Sequence, residues 1–229
     1  SLTQVPEGTR VGIVATLGVR QDEKAVPTLA RYLTEDDVQL ATAAAAALGR
    51  IGTPEAGAAL LEKKDQVAAG VQQRLLDALL SCAEHLLDQD KPAEAAKLYE
   101  QLSQAGNSRV IRIGALRGLA EAQPQDLGKL IVSVLEKEDQ DLIPTALSLI
   151  SRMKDDAQIR QVGEKMAELS ASDQVRMLAS MAQGGNPAAL PYVKNAAKSR
   201  DSSVSSGALR AISVLGDVSC VGILANAAT

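Results

Sequence analysis

The sequence predicts an all-α fold, a right-handed α-α superhelix (a solenoid) of about seven helix pairs. The chain has 229 residues, 46% of them hydrophobic, with 38 Ala and 30 Leu against no Phe, no Trp and only 3 Tyr. Small and aliphatic side chains suit helices that pack closely in thin layers. Apolar stretches recur about every 30 residues, and Gly or Pro interrupts them about every 15 residues, which argues against one continuous coiled coil.

The first helix of each pair follows a polar hinge and opens with an aliphatic residue. Examples are Val38, Val67, Val110, Leu142, Val175 and Val204. They predict repeats that start near residues 9, 38, 67, 108, 141, 173 and 203. The longest interval contains Glu84 to Pro92, which we expect to lengthen the turn inside the third pair. We predict a single solenoid over residues 1–229. Because its terminal repeats are as apolar as interior ones, we expect a segment of a longer protein, or end-to-end association.

The second helix of each pair has an apolar stripe at helical spacing. In the first repeat, Val26, Leu29, Ala30 and Leu33 fall on one face. Prolines mark the starts of second helices, because a proline in the first turn loses no hydrogen bond. They are Pro27, Pro54, Pro92 and Pro187. An isolated pair cannot bury its stripe, so stacked pairs form a continuous core.

Acidic runs at the junctions between repeats are interpreted as helix caps, because a carboxylate favours the positive end of the next helix. These runs are Glu35–Asp37, Glu136–Asp141 and Asp155–Asp156. None has the alternating ligand spacing of a calcium-binding loop. The segment Gly184–Pro187 is interpreted as a turn and not as a phosphate-binding loop, since no Lys-Ser or Lys-Thr follows it.

The phrase Ala-Leu-Gly-Arg-Ile-Gly-Thr-Pro-Glu-Ala at residues 47–56 resembles the signature of HEAT repeats. It is similar in particular to the short bacterial type related to phycobilisome-lyase repeats. Parts of it recur as Thr16-Leu17-Gly18 and as Val214-Leu215-Gly216. The resemblance implies a solenoid whose second helices line a concave face. Because this kind of repeat serves many functions, it implies no particular activity.

A mixed-charge polar strip on the second helices is the candidate binding surface. Helical phase places its members off the apolar stripe, on the side that the resemblance makes concave. They are Thr28, Arg31, Tyr32, Glu35, Glu62, Lys63, Lys97, Glu100, Gln101, Ser133, Glu136, Lys165, Glu168, Lys194 and Lys198. We expect a protein or peptide partner for this strip. The alternative, an ordinary solvated face, stays open for each residue.

The chain has few residues suited to catalysis. His85 is the only histidine, and no nucleophile or carboxylate constellation surrounds it in the sequence; we interpret it as a surface residue near a helix end. Cys82 and Cys220 lack metal-ligand spacing, and their distance in the repeat series predicts two free, buried thiols. We therefore expect no catalytic residue, no metal and no cofactor.

Charge and hydropathy argue against nucleic acid and against a membrane span. The formal net charge is −4, and the chain lacks the basic face with aromatic platforms that binds nucleic acid. No apolar run approaches the roughly 20 residues of a membrane span. The sequence leaves the cellular compartment open.

Three functional hypotheses follow. The first is a non-enzymatic scaffold that binds protein through the concave face. The second, implied by the resemblance, is a bilin-lyase-like enzyme or its chaperone subunit. The third and weakest is a DNA-binding protein of the HEAT-like type.

Overall fold

Thirteen α-helices follow one another along the part of the chain that the computed structural model describes, residues 7–222 and residue 225. They are α1 (Glu7–Val19), α2 (Val26–Tyr32), α3 (Val38–Ile51), α4 (Pro54–Lys63), α5 (Ala69–Asp88), α6 (Pro92–Leu102), α7 (Arg109–Ala122), α8 (Leu127–Glu136), α9 (Ile143–Leu149), α10 (Asp156–Gly163), α11 (Ala171–Gly184), α12 (Leu190–Ala196) and α13 (Ser202–Leu215). These described residues contain no strand, and the all-α prediction is confirmed.

The odd-numbered helices are the first members of pairs and the even-numbered helices the second members. Six complete pairs lie in the described residues, and α13 is the first helix of a seventh. The first helices begin at residues 7, 38, 69, 109, 143, 171 and 202, each within two residues of a repeat start expected from the sequence. Of the apolar terminal segments expected from the sequence, residues 11–17, 204–215 and 218–222 are described, whereas residues 1–6, 223–224 and 226–229 lie outside the described residues.

Contacts divide the chain into two compact units, Ser1–Gln123 and Pro124–Thr229. In the first unit α3 packs between α1 and α5, while α7 packs against α5 and α6. In the second unit α11 packs against α9 and α13, and α8 packs against α10. The first unit thus stacks helices α1–α7 and the second stacks α8–α13, so the boundary between the units falls between α7 and α8. That all pairs join in one solenoid over residues 1–229 stays a prediction.

Glycine and alanine bring the first helices of the first unit into backbone contact. A Cβ atom at Gly18 of α1 would lie 2.6 Å from Cα of Ala47 in α3. A Cβ atom at Gly49 of α3 would lie 2.8 Å from the carbonyl oxygen of Ala78 in α5. Because neither position has room for a side chain, the two small-residue contacts set the spacing of the first three repeats.

Aliphatic side chains fill the space between the layers. Leu29, Leu48, Leu60, Leu75 and Leu79 are all fully buried in the first unit. Burying one such side chain contributes about 1.5–3 kcal/mol, so the core is built from many modest contributions without large aromatic rings.

Caps and turns define the helix ends largely as the sequence indicates. Asp37 accepts hydrogen bonds from the backbone N–H groups of Gln39 and Leu40, and Asp155 accepts one from Gln158. Gly185 adopts a left-handed conformation with φ of 71°, which ends α11 in the predicted turn.

At the acidic run Glu136–Asp141, the residue directly before α9 is Leu142, whose side chain makes no cap. The N–H of Ile143 donates to the backbone carbonyl oxygen of Asp139. The interpretation of this run as a cap stays a prediction.

The expectation of a long turn in the third pair is wrong. Helix α5 continues through Asp88, because Leu86 extends the buried stripe, and the link to α6 is only three residues long. His85 therefore lies inside α5, half-buried, with Nδ1 bonded to the carbonyl oxygen of Ser81 and its Cβ against Gly52. It is not the surface residue expected from the sequence.

No helix among the described residues is long and apolar enough to cross a bilayer.

Candidate interaction surface

Eleven of the fifteen members of the polar strip lie on a second helix, and the other four, Glu35, Lys165, Glu168 and Lys198, lie within five residues after the end of one. In the first unit the strip is solvent-facing and its polar contacts are local. Arg31, Lys97 and Glu100 are exposed. Lys63 pairs with its neighbour Glu62 at 3.0 Å. The remaining members in this unit are Thr28, Tyr32, Glu35 and Gln101, of which Glu35 and Gln101 are exposed and the other two partly buried.

In the second unit the strip residues come together across helices. Lys165, which follows α10, lies 3.1 Å from a carboxylate oxygen of Glu136 in α8 and 3.4 Å from one of Glu168. The hydrogen bond to Glu136, supported by the charge of Glu168, raises the pKa of Lys165. Its ammonium group therefore stays charged and links two neighbouring repeats.

Lys194 and Lys198 extend the strip along α12. Lys194 donates a hydrogen bond to Ser219 and lies 3.9 Å from Asp217. Lys198 is exposed, and no ion pair to it occurs in the described part of the chain. Ser133, on α8, is partly buried. The structure thus assembles Glu136, Lys165 and Glu168 into one cluster, whereas Lys194 faces the other way along the stack.

Two grooves open beside this cluster, one on each side of the short helix Met166–Glu168. The first, here called the Tyr192 groove, has a volume of about 550 Å³. Its lining includes Gly163, Met166, Gln174, Tyr192, Asn195 and Lys198. The second, here called the acidic groove, has a volume of about 340 Å³. Its lining includes Glu136, Glu138, Lys165, Glu168, Ser170 and Asp173.

A close approach of backbone and ring shapes the Tyr192 groove. A Cβ atom at Gly163 would lie 2.5 Å from Cδ2 of Tyr192, so the ring lies flat against the end of α10 only because residue 163 is glycine. Met166 and Ala196 are buried beside the ring. The groove therefore has an apolar floor, with the amide of Asn195 exposed at its edge.

Four carboxylates and one ammonium group line the acidic groove. Asp173 is buried, accepts a hydrogen bond from Ser170 and forms an ion pair with Arg176 at 2.8 Å. Glu138 is exposed and adopts a left-handed backbone with φ of 51°. Negative charge consequently dominates this groove at neutral pH.

Sequence reasoning found part of this surface and missed the rest. Glu138, Tyr192 and Asn195 were not in the predicted strip. The acidic run around Glu138 is visible in the sequence, but there it indicates a helix cap. The contact between Gly163 and Tyr192 leaves no trace in helical periodicity, because it joins residues 29 positions apart.

The described residues contain no group of three or more His, Cys, Asp or Glu side chains that could hold a metal ion. Burial raises the pKa of the Cys82 thiol to about 12, which disfavours the nucleophilic thiolate. That the protein is not an enzyme stays a prediction.

Comparison with protein families supports the fold over the first part of the chain. Residues 3–80 match the family model of HEAT repeats, and the HEAT-repeat prediction is confirmed there. No curated protein matches the chain. Among solved structures, that of human deoxyhypusine hydroxylase in complex with glycerol is similar over 93% of this chain and 81% of that chain, with 16% sequence identity and a TM-score of 0.46.

Proposed function

Because residues 3–80 match HEAT repeats, and repeats of this kind present extended surfaces, we propose that the chain is a non-catalytic module that binds protein segments through its second helices. The partner is a protein or a peptide. No cofactor takes part in this function.

One observation carries the proposal, namely the two grooves at the ends of α8, α10 and α12. Four members of the strip expected from the sequence, Glu136, Lys165, Glu168 and Lys198, line these grooves. A recess with an apolar floor and polar edges is the arrangement by which binding surfaces combine affinity with orientation. The strip residues of the first unit are exposed or partly buried and the polar contacts described for them are local, so we place the main binding site in the second unit.

Charge favours protein over nucleic acid as the partner. A surface that binds phosphates needs clustered Lys and Arg side chains. The acidic groove has the opposite sign, and its one ammonium group, on Lys165, is already shared between two carboxylates. Duplex DNA added at physiological ionic strength should therefore cause no salt-dependent shift in mobility.

The experiment that tests the proposal compares two charge-reversal pairs in affinity capture from the native cell, followed by mass spectrometry. The pair Glu168→Lys with Lys198→Glu alters the grooves. The pair Arg117→Glu with Glu121→Lys alters exposed residues of α7, a first helix. Both pairs preserve net charge. Thermal unfolding of each variant must first show that the fold is intact.

We expect the groove pair to lose specific partners that the wild type and the α7 pair retain. Capture of the same proteins by all three would contradict the proposal. The bilin-lyase alternative has its own readout, because adding a bilin and an acceptor phycobiliprotein would yield a covalent coloured product.

End-to-end association is a further part of this proposal. Val214, Val218 and Val221 are exposed at the end of the second unit. Light scattering over a range of concentrations tests it, and a clean monomer that binds no hydrophobic dye would contradict it.

A further inference from the structure

The two grooves of the second unit lie on either side of a single short helix. Met166 lines the Tyr192 groove, whereas Glu168, two residues later, lines the acidic groove. Likewise, Leu169 lines the acidic groove, whereas Gln174 lines the Tyr192 groove. One ligand can therefore reach both recesses by crossing the turn between them.

The Tyr192 groove offers complementary contacts to a peptide chain. The Tyr192 ring, Met166 and Ala196 supply a surface for an apolar side chain. The Asn195 amide forms no hydrogen bond within the described part of the chain, and it can both donate and accept. A backbone peptide unit also has one donor and one acceptor, so the two groups match.

The acidic groove offers complementary charge to a cation. Lys165 is bonded to Glu136 and Glu168, and Asp173 is bonded to Arg176 and Ser170. The carboxylate of Glu138 has no ion-pair partner in the described residues. A guanidinium group entering beside Glu138 and Glu168 would form charge-assisted hydrogen bonds, while Lys165 keeps its bond to Glu136.

We propose that the occupant is an extended peptide segment with a basic residue, which places an arginine or lysine in the acidic groove and an apolar side chain on Tyr192. This inference rests on the proposed function and names the chemistry of the partner. A single short helix separates the two subsites, so the basic and the apolar residue lie close together in the bound segment.

The probes are three fluorescein-labelled pools of nine-residue peptides. Their central residue is arginine, its neutral isostere citrulline, or glutamate, and uncharged residues are randomised at the other positions. Fluorescence anisotropy with the full chain should show the arginine pool binding about tenfold more tightly than the citrulline pool at low salt. The difference should shrink in 0.5 M salt, and the glutamate pool should bind least.

Two variants assign the contributions to the two grooves. Glu138→Asn removes the charge yet tolerates the left-handed backbone, because Asn is among the residues that adopt it readily. This variant should lower the ratio of the arginine pool's affinity to the citrulline pool's affinity about threefold. Gly163→Ala displaces the Tyr192 ring into its groove, and it should weaken all pools while leaving the ratio unchanged. The thermal midpoint of each variant serves as the folding control.

Equal binding of the arginine and citrulline pools would overturn the inference, as would an unchanged ratio in Glu138→Asn. If the pools bind equally and the pair Glu168→Lys with Lys198→Glu abolishes that binding, the proposed function stands without the basic residue. If no pool binds and the affinity capture also shows no difference between the two charge-reversal pairs, both fail.

Discussion

At two places a glycine, which has no side chain, makes room for the ring of a buried or partly buried tyrosine. Tyr99 of α6 is 2% exposed, and its ring lies against Gly118 of α7. Burial, together with the nearby carboxylate of Glu84, raises the pKa of Tyr99, so the phenol stays neutral in the core. The same arrangement recurs between Tyr192 and Gly163. Two of the three tyrosines are therefore placed by a glycine on a neighbouring element.

We expect Gly118→Ala to destabilise the protein, because the new methyl group overlaps the ring of Tyr99 and the closely packed neighbours must shift. The free energy of unfolding should fall by roughly 1–3 kcal/mol in urea denaturation. Gly12→Ala is the matched control, since Gly12 lies in α1 with nothing within 4 Å of the added Cβ. That control should gain about 0.5–1 kcal/mol, and equal stabilities of the two variants would contradict the packing described here.

At the scale of elements, the caps of the helices explain where each repeat begins. Thr53 precedes α4, and its hydroxyl oxygen accepts a hydrogen bond from the N–H of Ala56 at 3.2 Å. The backbone carbonyl of the same residue accepts a bond from the buried thiol of Cys82 in α5. One buried threonine thus fixes the start of a second helix and its contact with the next repeat.

Thr53→Val should cost about 1 kcal/mol of unfolding free energy, because it removes the capping oxygen while keeping the shape of the side chain. Thr53→Ser retains the hydroxyl and should stay closer to the wild type. Urea denaturation of the three proteins measures both differences. A valine variant as stable as the serine variant would show that the cap contributes nothing.

The cap of α13 introduces a dependence on pH. Hydrogen bonds from the Ser203 hydroxyl, and then from the N–H groups of Val204 and Ser203, lower the pKa of Asp201. A lowered pKa means that ionised Asp201 stabilises the fold above its unfolded pKa of about 3.9, and that this contribution is lost as the pH falls. Asp201→Asn still caps the helix but does not titrate.

The stability advantage of the wild type over Asp201→Asn should therefore be largest near pH 7 and shrink between about pH 5 and pH 3. Urea denaturation at several pH values measures it. A difference that is constant over this range would rule out a titrating cap.

The helix ends also show which features of the fold can be predicted from the sequence alone. Pro54 and Pro92 open second helices as predicted, because a proline fixes the local backbone wherever the repeat lies. The extension of α5 to Asp88 was not predicted, since a polar segment reads as a turn until the burial of Leu86 is known. The grooves were not predicted, because helical phase tells which residues face outward but not which neighbours meet across repeats.

At the scale of the whole molecule, burial limits the reactivity of the Cys82 thiol. Both are free and buried, as the sequence predicted. The pKa of Cys82 is raised to about 12 by burial, so almost none of it is thiolate near pH 8. Reaction with a thiol reagent must therefore wait for an opening of the structure.

We expect Cys82, isolated in a Cys220→Ser background, to react with a disulfide reagent at least about 100-fold more slowly in buffer than in denaturant. The rate is followed by absorbance. Fast labelling of the folded chain would show that the third repeat opens readily.

The backbone contacts between α1, α3 and α5 have a mechanical consequence. At the contacts of Gly18 with Ala47 and of Gly49 with Ala78, the backbones of neighbouring helices touch with no flexible side chain between them. Neighbouring helices cannot slide or spread by small rotamer adjustments, since any displacement opens a gap along the whole contact. Under tension, this part of the chain should behave as a stiff rod that yields abruptly, and not as a spring that lengthens by degrees.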